Sequence, residues 1–153
     1  MTQISSNQKN INQQTALNNL LATISIFQAN VKVYHWLLSG NNFFVLHEKF
    51  GEFYDFLGDH QDKLAERILA LKENPMVGYS NYLKTSTITE TKARSEKEFL
   101  NELLESIETT IKLAQTAKTE SKKAGDDETD NYLQEMIYDL QKNAWMYSRQ
   151  NQG

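Results

Sequence analysis

Four side chains suited to binding a metal ion lie within 32 residues of the chain: His35, His47, Asp62 and Glu66. Imidazole and carboxylate ligands together suit a divalent transition metal such as iron, and both groups pack a core poorly. Asp62 and Glu66 are four residues apart, so a helix would place both carboxylates on one face, one turn apart. The pattern predicts a metal site. The alternative interpretation of these four residues is a salt-bridged helix surface with incidental histidines.

The composition favours a single domain built from long helices. The 153 residues include only six glycines and one proline, and 24% of them are charged. The absence of cysteine excludes disulfides, thiolate zinc sites and cysteine nucleophiles. The net charge of −4 argues against nucleic acid or an anionic membrane as a general partner. Because no apolar segment is long enough to span a bilayer and residues 1–15 are unlike a signal peptide, we expect a cytoplasmic protein.

Hydrophobic spacing and turn signals predict four long helices and one long connection. The helices are expected at about residues 15–38, 43–72, 95–124 and from 126 or 127 onward. The connection over residues 77–90 contains a Tyr-Ser-Asn-Tyr-Leu segment, which predicts a short helix. We therefore expect an all-α four-helix bundle over residues 15–150, with a short extra helix in the long crossover between helices 2 and 3. Residues 1–14 are expected to form a flexible polar tail.

The first predicted helix is apolar on two sides. One stripe holds Leu20, Phe27 and Tyr34, and the other holds Ile26, Val33 and Leu37. A helix with two apolar faces must be covered on both. In a small bundle we expect the second cover to be another copy of the chain.

The second predicted helix carries a stripe of six acids, spaced by three or four residues. They are Glu48, Glu52, Asp55, Asp59, Asp62 and Glu66. At about 100° per residue, this stripe faces about 200° away from the apolar seam of the same helix. No Lys or Arg lies on the stripe to balance the repelling charges, which argues against a merely solvated face.

The orientation of Asp62 and Glu66 limits the kind of metal site they can form. Di-iron sites inside helix bundles use inward-facing Glu and Glu-x-x-His ligands. No histidine of this chain lies three residues after a Glu, and carboxylates that face away from the core cannot build such a centre. A site outside the bundle, shared with a second copy of the chain, is the remaining arrangement.

In their order and spacing, the motifs of this chain resemble those of the Dps family, the mini-ferritins of prokaryotes. The matching motifs are His35-Trp36, Gly40-Asn41-Asn42-Phe43, His47-Glu48, Asp62-Lys63-Leu64-Ala65-Glu66-Arg67 and Ala144-Trp145-Met146. The resemblance covers roughly residues 15 to 148 and is highly specific as an ordered set.

The resemblance implies a hollow dodecamer with ferroxidase centres at its two-fold interfaces. His35 and His47 would come from one subunit, and Asp62 and Glu66 from its neighbour. The implied enzyme activity is the oxidation of Fe(II) to Fe(III), with hydrogen peroxide preferred over dioxygen. Ferric mineral would be stored inside, which would protect the cell from oxidative stress.

The same resemblance implies roles for further residues. Glu48, Glu52 and Asp55 correspond to the inner surface on which family members nucleate mineral. Trp36 and Trp145 resemble aromatic residues near the centre that trap oxidising equivalents, although core or interface filling is the favoured explanation for Trp145.

The sequence departs from the family pattern at two positions. The family usually has a carboxylate one turn after the second histidine, where this chain has Gly51. Whether each centre holds one iron or two therefore remains open. The family also often has an Asp lining a three-fold pore, and here that position is Asn131. The nearby Asp126, Asp127 and Asp130 would either guide iron into such a pore or serve as charges at a helix N-terminus.

Two other functions compete with a ferroxidase. The first is DNA compaction, but the N-terminal tail has only Lys9 and the last nine residues have only Arg149 to contact phosphates. Twelve chains at −4 each would carry −48, so we expect weak or absent DNA binding. The second is a metal-free structural oligomer. His60 lies on the core side of its helix and is expected to be a packed or interface histidine.

Overall fold

The chain forms a bundle of four long helices with a fifth, short helix in the crossover. In the computed structural model, residues 2–152 are described, with side chains from Gln13 to Gln152. The elements are α1 (Thr2–Leu37), α2 (Phe43–Ala70), α3 (Tyr79–Thr85), α4 (Glu96–Lys123) and α5 (Asp127–Asn151). No strand occurs among these residues. The predicted fold class is confirmed, including the short helix between the second and third long helices.

Helix α1 begins at Thr2 rather than near Thr15. Residues 2–14 contain neither glycine nor proline, so nothing in them interrupts the propagation of the helix. The predicted boundary between a tail and the bundle falls within this helix, and the division into two regions stays a prediction. Among residues 2–152, no helix has the combined length and apolarity needed to cross a membrane.

Large aromatic side chains fill the core between α1, α2 and α4. Phe27 packs edge-on against Phe53 at 5.5 Å between ring centroids, and Tyr34 packs against Phe50 at 5.7 Å and Phe99 at 5.1 Å. All five are buried. The seam predicted for α2 is buried from Leu46 to Ile68, so the polar face of α2 points away from the bundle as expected.

The second apolar stripe of α1 is covered mainly by the chain's own crossover. Ile26 is buried, and Asn30, on the same stripe, donates from Nδ2 to the Thr89 carbonyl at 2.8 Å. Only the end of the stripe is open, since Leu37 is exposed. The expectation that a second copy covers this whole face is therefore wrong for its first part, because a long connection can return across a helix that its own bundle leaves uncovered.

Candidate metal centre

His35 and His47 face each other across the elbow between α1 and α2. Their rings stack at 3.7 Å between centroids with an interplanar angle of 14°. His35 Nδ1 donates to the His47 carbonyl at 2.6 Å, and His47 Nδ1 donates to the His35 carbonyl at 2.8 Å. A carbonyl oxygen only accepts, so the proton of each neutral ring is on Nδ1. Both Nε2 lone pairs are therefore free for a metal ion.

The elbow itself fixes the relative position of the two rings. His35 lies in the last turn of α1, and Gly40 has a φ of +105°, a conformation that favours glycine. Helix α2 then begins at Phe43, whose ring stacks on His47 at 4.8 Å. The pair is thus held by backbone geometry and packing before any metal arrives.

Gly51 provides the space that the His35 ring occupies. A Cβ atom at residue 51 would lie 3.2 Å from His35 Cε1 and 3.4 Å from His35 Nδ1. A carboxylate at this position would therefore require the imidazole to move. Glu52 does not replace it, because it lies about 100° further around the helix, where its carboxylate pairs with Lys49 at 3.0 Å. The described part of the chain places no other acid at the position where the family has one.

Asp62 and Glu66 are exposed on α2, far from the histidine pair of the same chain. His47 and Asp62 are 15 residues apart on one helix, which corresponds to about 22 Å along its axis. Among the residues whose side chains are described, no three His, Asp or Glu side chains gather as a metal site. A single chain thus carries a pair of imidazoles and a separate pair of carboxylates on opposite parts of α2 and its elbow.

The acid stripe of α2 is exposed along its length, as predicted. One part of the expectation is wrong, because the stripe does have a balancing cation: Lys49 lies beside it and reaches Glu52 across one turn. Glu48 and Asp55 form no ion pair among the described residues. Of the three acids expected to nucleate mineral, Glu52 is therefore paired with a cation, whereas Glu48 and Asp55 are not.

Asp126 is bound into the end of the bundle. It is the N-cap of α5 and accepts from the Thr129 backbone at 3.1 Å, while Gln13 donates to it at 2.8 Å and Arg67 at 3.1 Å. Burial alone would raise the pKa of this carboxyl, but the hydrogen bonds from Thr129 and Gln13 and the charge of Arg67 lower it below its usual value.

The other two acids near the start of α5 differ from each other. Asp130 is buried and pairs with Lys118 at 2.9 Å, whereas Asp127 is exposed. The helix-terminus alternative is thus favoured for Asp126, and Asp127 keeps a free carboxylate.

His60 is buried, and its Nδ1 lies 2.8 Å from the Tyr132 hydroxyl. Burial lowers the pKa of this imidazole, and the positive charge of Lys63 lowers it further. The predicted role as a packed histidine fits these contacts. Trp36 and Trp145 are both exposed in the single chain, so neither fills its core.

Sequence reasoning missed the ring contact that one tyrosine makes with His35 and the long-range hydrogen bond that another tyrosine forms. The Tyr54 ring contacts His35 edge-on at 5.3 Å, and the Lys32 ammonium lies 5.5 Å from the centre of the same ring. Tyr34 precedes His35 and donates its hydroxyl hydrogen to Glu102, which lies 68 positions away. Helical spacing identifies Tyr34 only as a core residue, because a contact over that sequence distance depends on the tertiary fold.

Comparison with known proteins identifies the family. A model of the ferritin-like domain matches residues 14–152. The chain is 31% identical over 131 residues to DNA protection during starvation protein 2 of Bacillus anthracis, covering 85% of this chain and 90% of that protein. The chain belongs to the Dps family of mini-ferritins.

Two further proteins are similar to this chain over most of its length. An uncharacterized protein of Haemophilus influenzae is 40% identical over 132 residues, which are 86% of this chain and 82% of that protein. The crystal structure of a Dps protein from Vibrio cholerae, described as a member of a broad superfamily of ferritin-like diiron-carboxylate proteins, superposes with a TM-score of 0.89 at 33% identity. That match covers 94% of this chain and 91% of the other. Dps membership implies iron binding and a general role in iron storage and protection.

Proposed function

We propose that the protein is a ferroxidase that oxidises Fe(II) at centres shared between two copies of the chain. The supporting observation is the reciprocal hydrogen bonding of His35 and His47, which occupies both Nδ1 atoms and leaves both Nε2 atoms available as ligands on two stacked rings. The partner subunit's Asp62 and the partner subunit's Glu66 would complete the ligand set with oxygen atoms. Mixed nitrogen and oxygen ligands suit Fe(II), and the carboxylates stabilise the Fe(III) product.

A two-fold axis generates this arrangement from one type of chain. In an isologous interface, residue 47 facing residue 62 in one direction implies the same contact in the other. The two α2 helices then run antiparallel, and the two-fold axis passes level with residues 54 and 55, midway between the two positions. Each pair of subunits carries two centres, and the full assembly would be a hollow dodecamer.

Exposed apolar side chains on the elbow support an interface at this place. They are Trp36, Leu37, Phe44 and Val45, with 66%, 48%, 85% and 58% of their surface exposed. Large apolar side chains exposed together mark interaction surfaces. A second copy of the chain would cover these residues and would exclude bulk water from the iron.

We expect one Fe(II) per ligand set, because residue 51, where the family has a further carboxylate, is a glycine in this chain. Hydrogen peroxide is the expected oxidant, with dioxygen as the alternative. The ferric product would be stored as mineral on the exposed acids of α2, chiefly Glu48 and Asp55, since Lys49 neutralises Glu52. The exposed Asp127 is the acid best placed to attract incoming iron.

An anaerobic Fe(II) titration followed by a peroxide pulse tests this function. Wild type should bind one Fe(II) per chain and oxidise it on the pulse. Loss of a second-shell group alone reduces metal affinity by about 10- to 100-fold, so His47→Ala and Asp62→Asn should each reduce it at least as much. Asp59→Asn, on the same stripe, is the matched control and should behave as wild type. Equal oxidation in His47→Ala and wild type would reject the centre, and no iron-dependent oxidation in wild type would favour a metal-free oligomer.

A further inference from the structure

Two large apolar side chains are exposed at opposite ends of the face of α2 that carries Asp62 and Glu66. Phe44, in the first turn, has 85% of its surface exposed, and Leu69, in the last turn, has 55%. Phe44 and Asp62 are 18 residues apart, which is about five full turns, so both point in the same direction from the helix axis. Leu69 lies within about 20° of that direction. An apolar residue therefore stands at each end of the ligand face.

Phe44 is connected to the histidine pair through ring contacts. Its ring packs edge-on against Phe43 at 5.5 Å between centroids, and Phe43 stacks on His47 at 4.8 Å. Phe44 thus forms the outer end of a row of rings that leads inward to His47. Leu69 has the equivalent place beside the acids, because it lies one turn after Glu66. Each set of proposed ligands therefore has one exposed apolar side chain next to it.

The two-fold arrangement of the ligands brings these two side chains together. When His47 faces the partner subunit's Asp62 on antiparallel helices, Phe44, three positions earlier, is level with Ala65 of the partner subunit, three positions later. The partner subunit's Leu69 is four positions further, which is about 6 Å along the axis. Helical side chains lean toward the N-terminus and cover the surface about one position back, so on antiparallel helices the separation falls to about 3 Å. A phenyl ring and an isobutyl group touch across this offset.

We propose that Phe44 of one copy and Leu69 of the other form an apolar clasp over each shared iron centre. This inference rests on the proposed function. The chain that donates the histidines supplies Phe44, and the chain that donates the acids supplies Leu69. By two-fold symmetry the contact forms twice in each pair of subunits, once at each centre. The clasp would keep water and small polar molecules from the ligands on the side that a single chain leaves open.

The middle of the ligand face explains why an apolar contact at its ends matters. Between Phe44 and Leu69 the face carries Glu48, Asp55 and Asp59 in addition to the ligands, and like charges on two facing copies repel each other. The large exposed apolar residues of α2 lie at its two ends. Before iron binds, burial of these ends is therefore the attraction that α2 itself offers to a second copy.

Cysteine cross-linking of the assembled full-length protein tests the contact directly. The chain has no cysteine, so Phe44→Cys and Leu69→Cys combined in one chain introduce its only two thiols. These positions are about 37 Å apart along α2, too far for a link within one chain. A short bismaleimide should therefore give a covalent dimer on a denaturing gel, whereas each single variant should run as a monomer. No dimer in the double variant, or as much dimer in a single variant, would overturn the contact.

The rate of Fe(II) removal tests what the clasp does. Protein loaded anaerobically with one Fe(II) per chain is mixed with bipyridine, and the coloured complex reports the removal of iron. Leu69→Ala and Phe44→Ala should each accelerate removal severalfold, because both truncations open the same side of the centre. Leu69→Met, which keeps an apolar side chain of similar size, should retain slow removal. Tyr138→Ala, which truncates an exposed ring on α5, is the matched control and should equal wild type. Equal rates in wild type and both clasp variants would overturn the clasp.

The outcomes separate this inference from the proposed function. His47→Cys and Asp62→Cys combined in one chain remove ligands but should cross-link between subunits, because both positions would face the same iron. Failure of that pair to cross-link, or failure of wild type to oxidise Fe(II), would remove the shared centre itself. A link between those positions without a link between positions 44 and 69 would remove the clasp alone. If the variant with cysteines at 44 and 69 does not assemble, the removal rates of Leu69→Ala and Phe44→Ala decide the question.

Discussion

Mixing two inactive variants of this chain should restore activity if the centre is shared between subunits. One variant, His47→Ala, removes a nitrogen ligand, and the other, Asp62→Asn with Glu66→Gln, removes both oxygen ligands. In a pair that contains one chain of each kind, one centre loses ligands on both sides. The other centre receives its histidines from the acid variant and its carboxylates from the histidine variant, so it is intact.

The size of the effect follows from the two-fold geometry. His47 and Asp62 are about 22 Å apart along α2, so one chain cannot close the centre alone. Random assembly of equal amounts makes half of the pairs mixed, and each mixed pair has one intact centre of two. About one quarter of all centres, and about one quarter of the wild-type rate, should therefore return.

The assay is the initial rate of Fe(II) oxidation, followed by the ultraviolet absorbance of the ferric product after the variants are unfolded and reassembled together. A mixture of His47→Ala with His35→Ala is the matched control. In a mixed pair of these two variants every centre lacks one histidine, so no activity should return. A rate in the first mixture that only equals the mean of the separate variants would refute a centre divided between histidines and acids.

Two further predictions concern DNA binding and the pH dependence of the free energy of unfolding. Because each chain has a net charge of −4 and few basic residues at its ends, we expect little or no shift of duplex DNA in a mobility-shift assay at low salt, and tight binding would contradict this. The lowered pKa of Asp126 means that its charge stabilises the folded state fully above the ordinary value of about 3.9, and that this contribution fades as the pH falls through the folded value. Asn keeps the N-cap but makes only neutral hydrogen bonds, so at fixed protein concentration urea unfolding should show Asp126→Asn less stable than wild type by about 1 kcal/mol at neutral pH, with the gap closing below pH ~4. A gap independent of pH would refute the role of the charge.

The fold was predictable from sequence because its determinants are local. Apolar residues at helical spacing, the glycine-containing elbow and the helix breaks near Pro75 and Gly125 each act over a few residues. The outward orientation of the acids followed from the same periodicity, since a residue's angle on a helix depends only on its position. The early start of α1 was missed, because polar residues without glycine or proline neither favour a helix strongly nor exclude one.

The sequence by itself determined the helices, the ligand types and the side of α2 on which the acids lie. Only the tertiary structure decided how these residues meet. The Nδ1 protons of His35 and His47 are fixed by carbonyls twelve positions away, and a Cβ atom at residue 51 would press on an imidazole from another helix. The crossover over α1 and the bond from Tyr34 to Glu102 likewise join residues far apart in the chain. Local periodicity cannot encode such contacts, because they depend on the packing of whole helices.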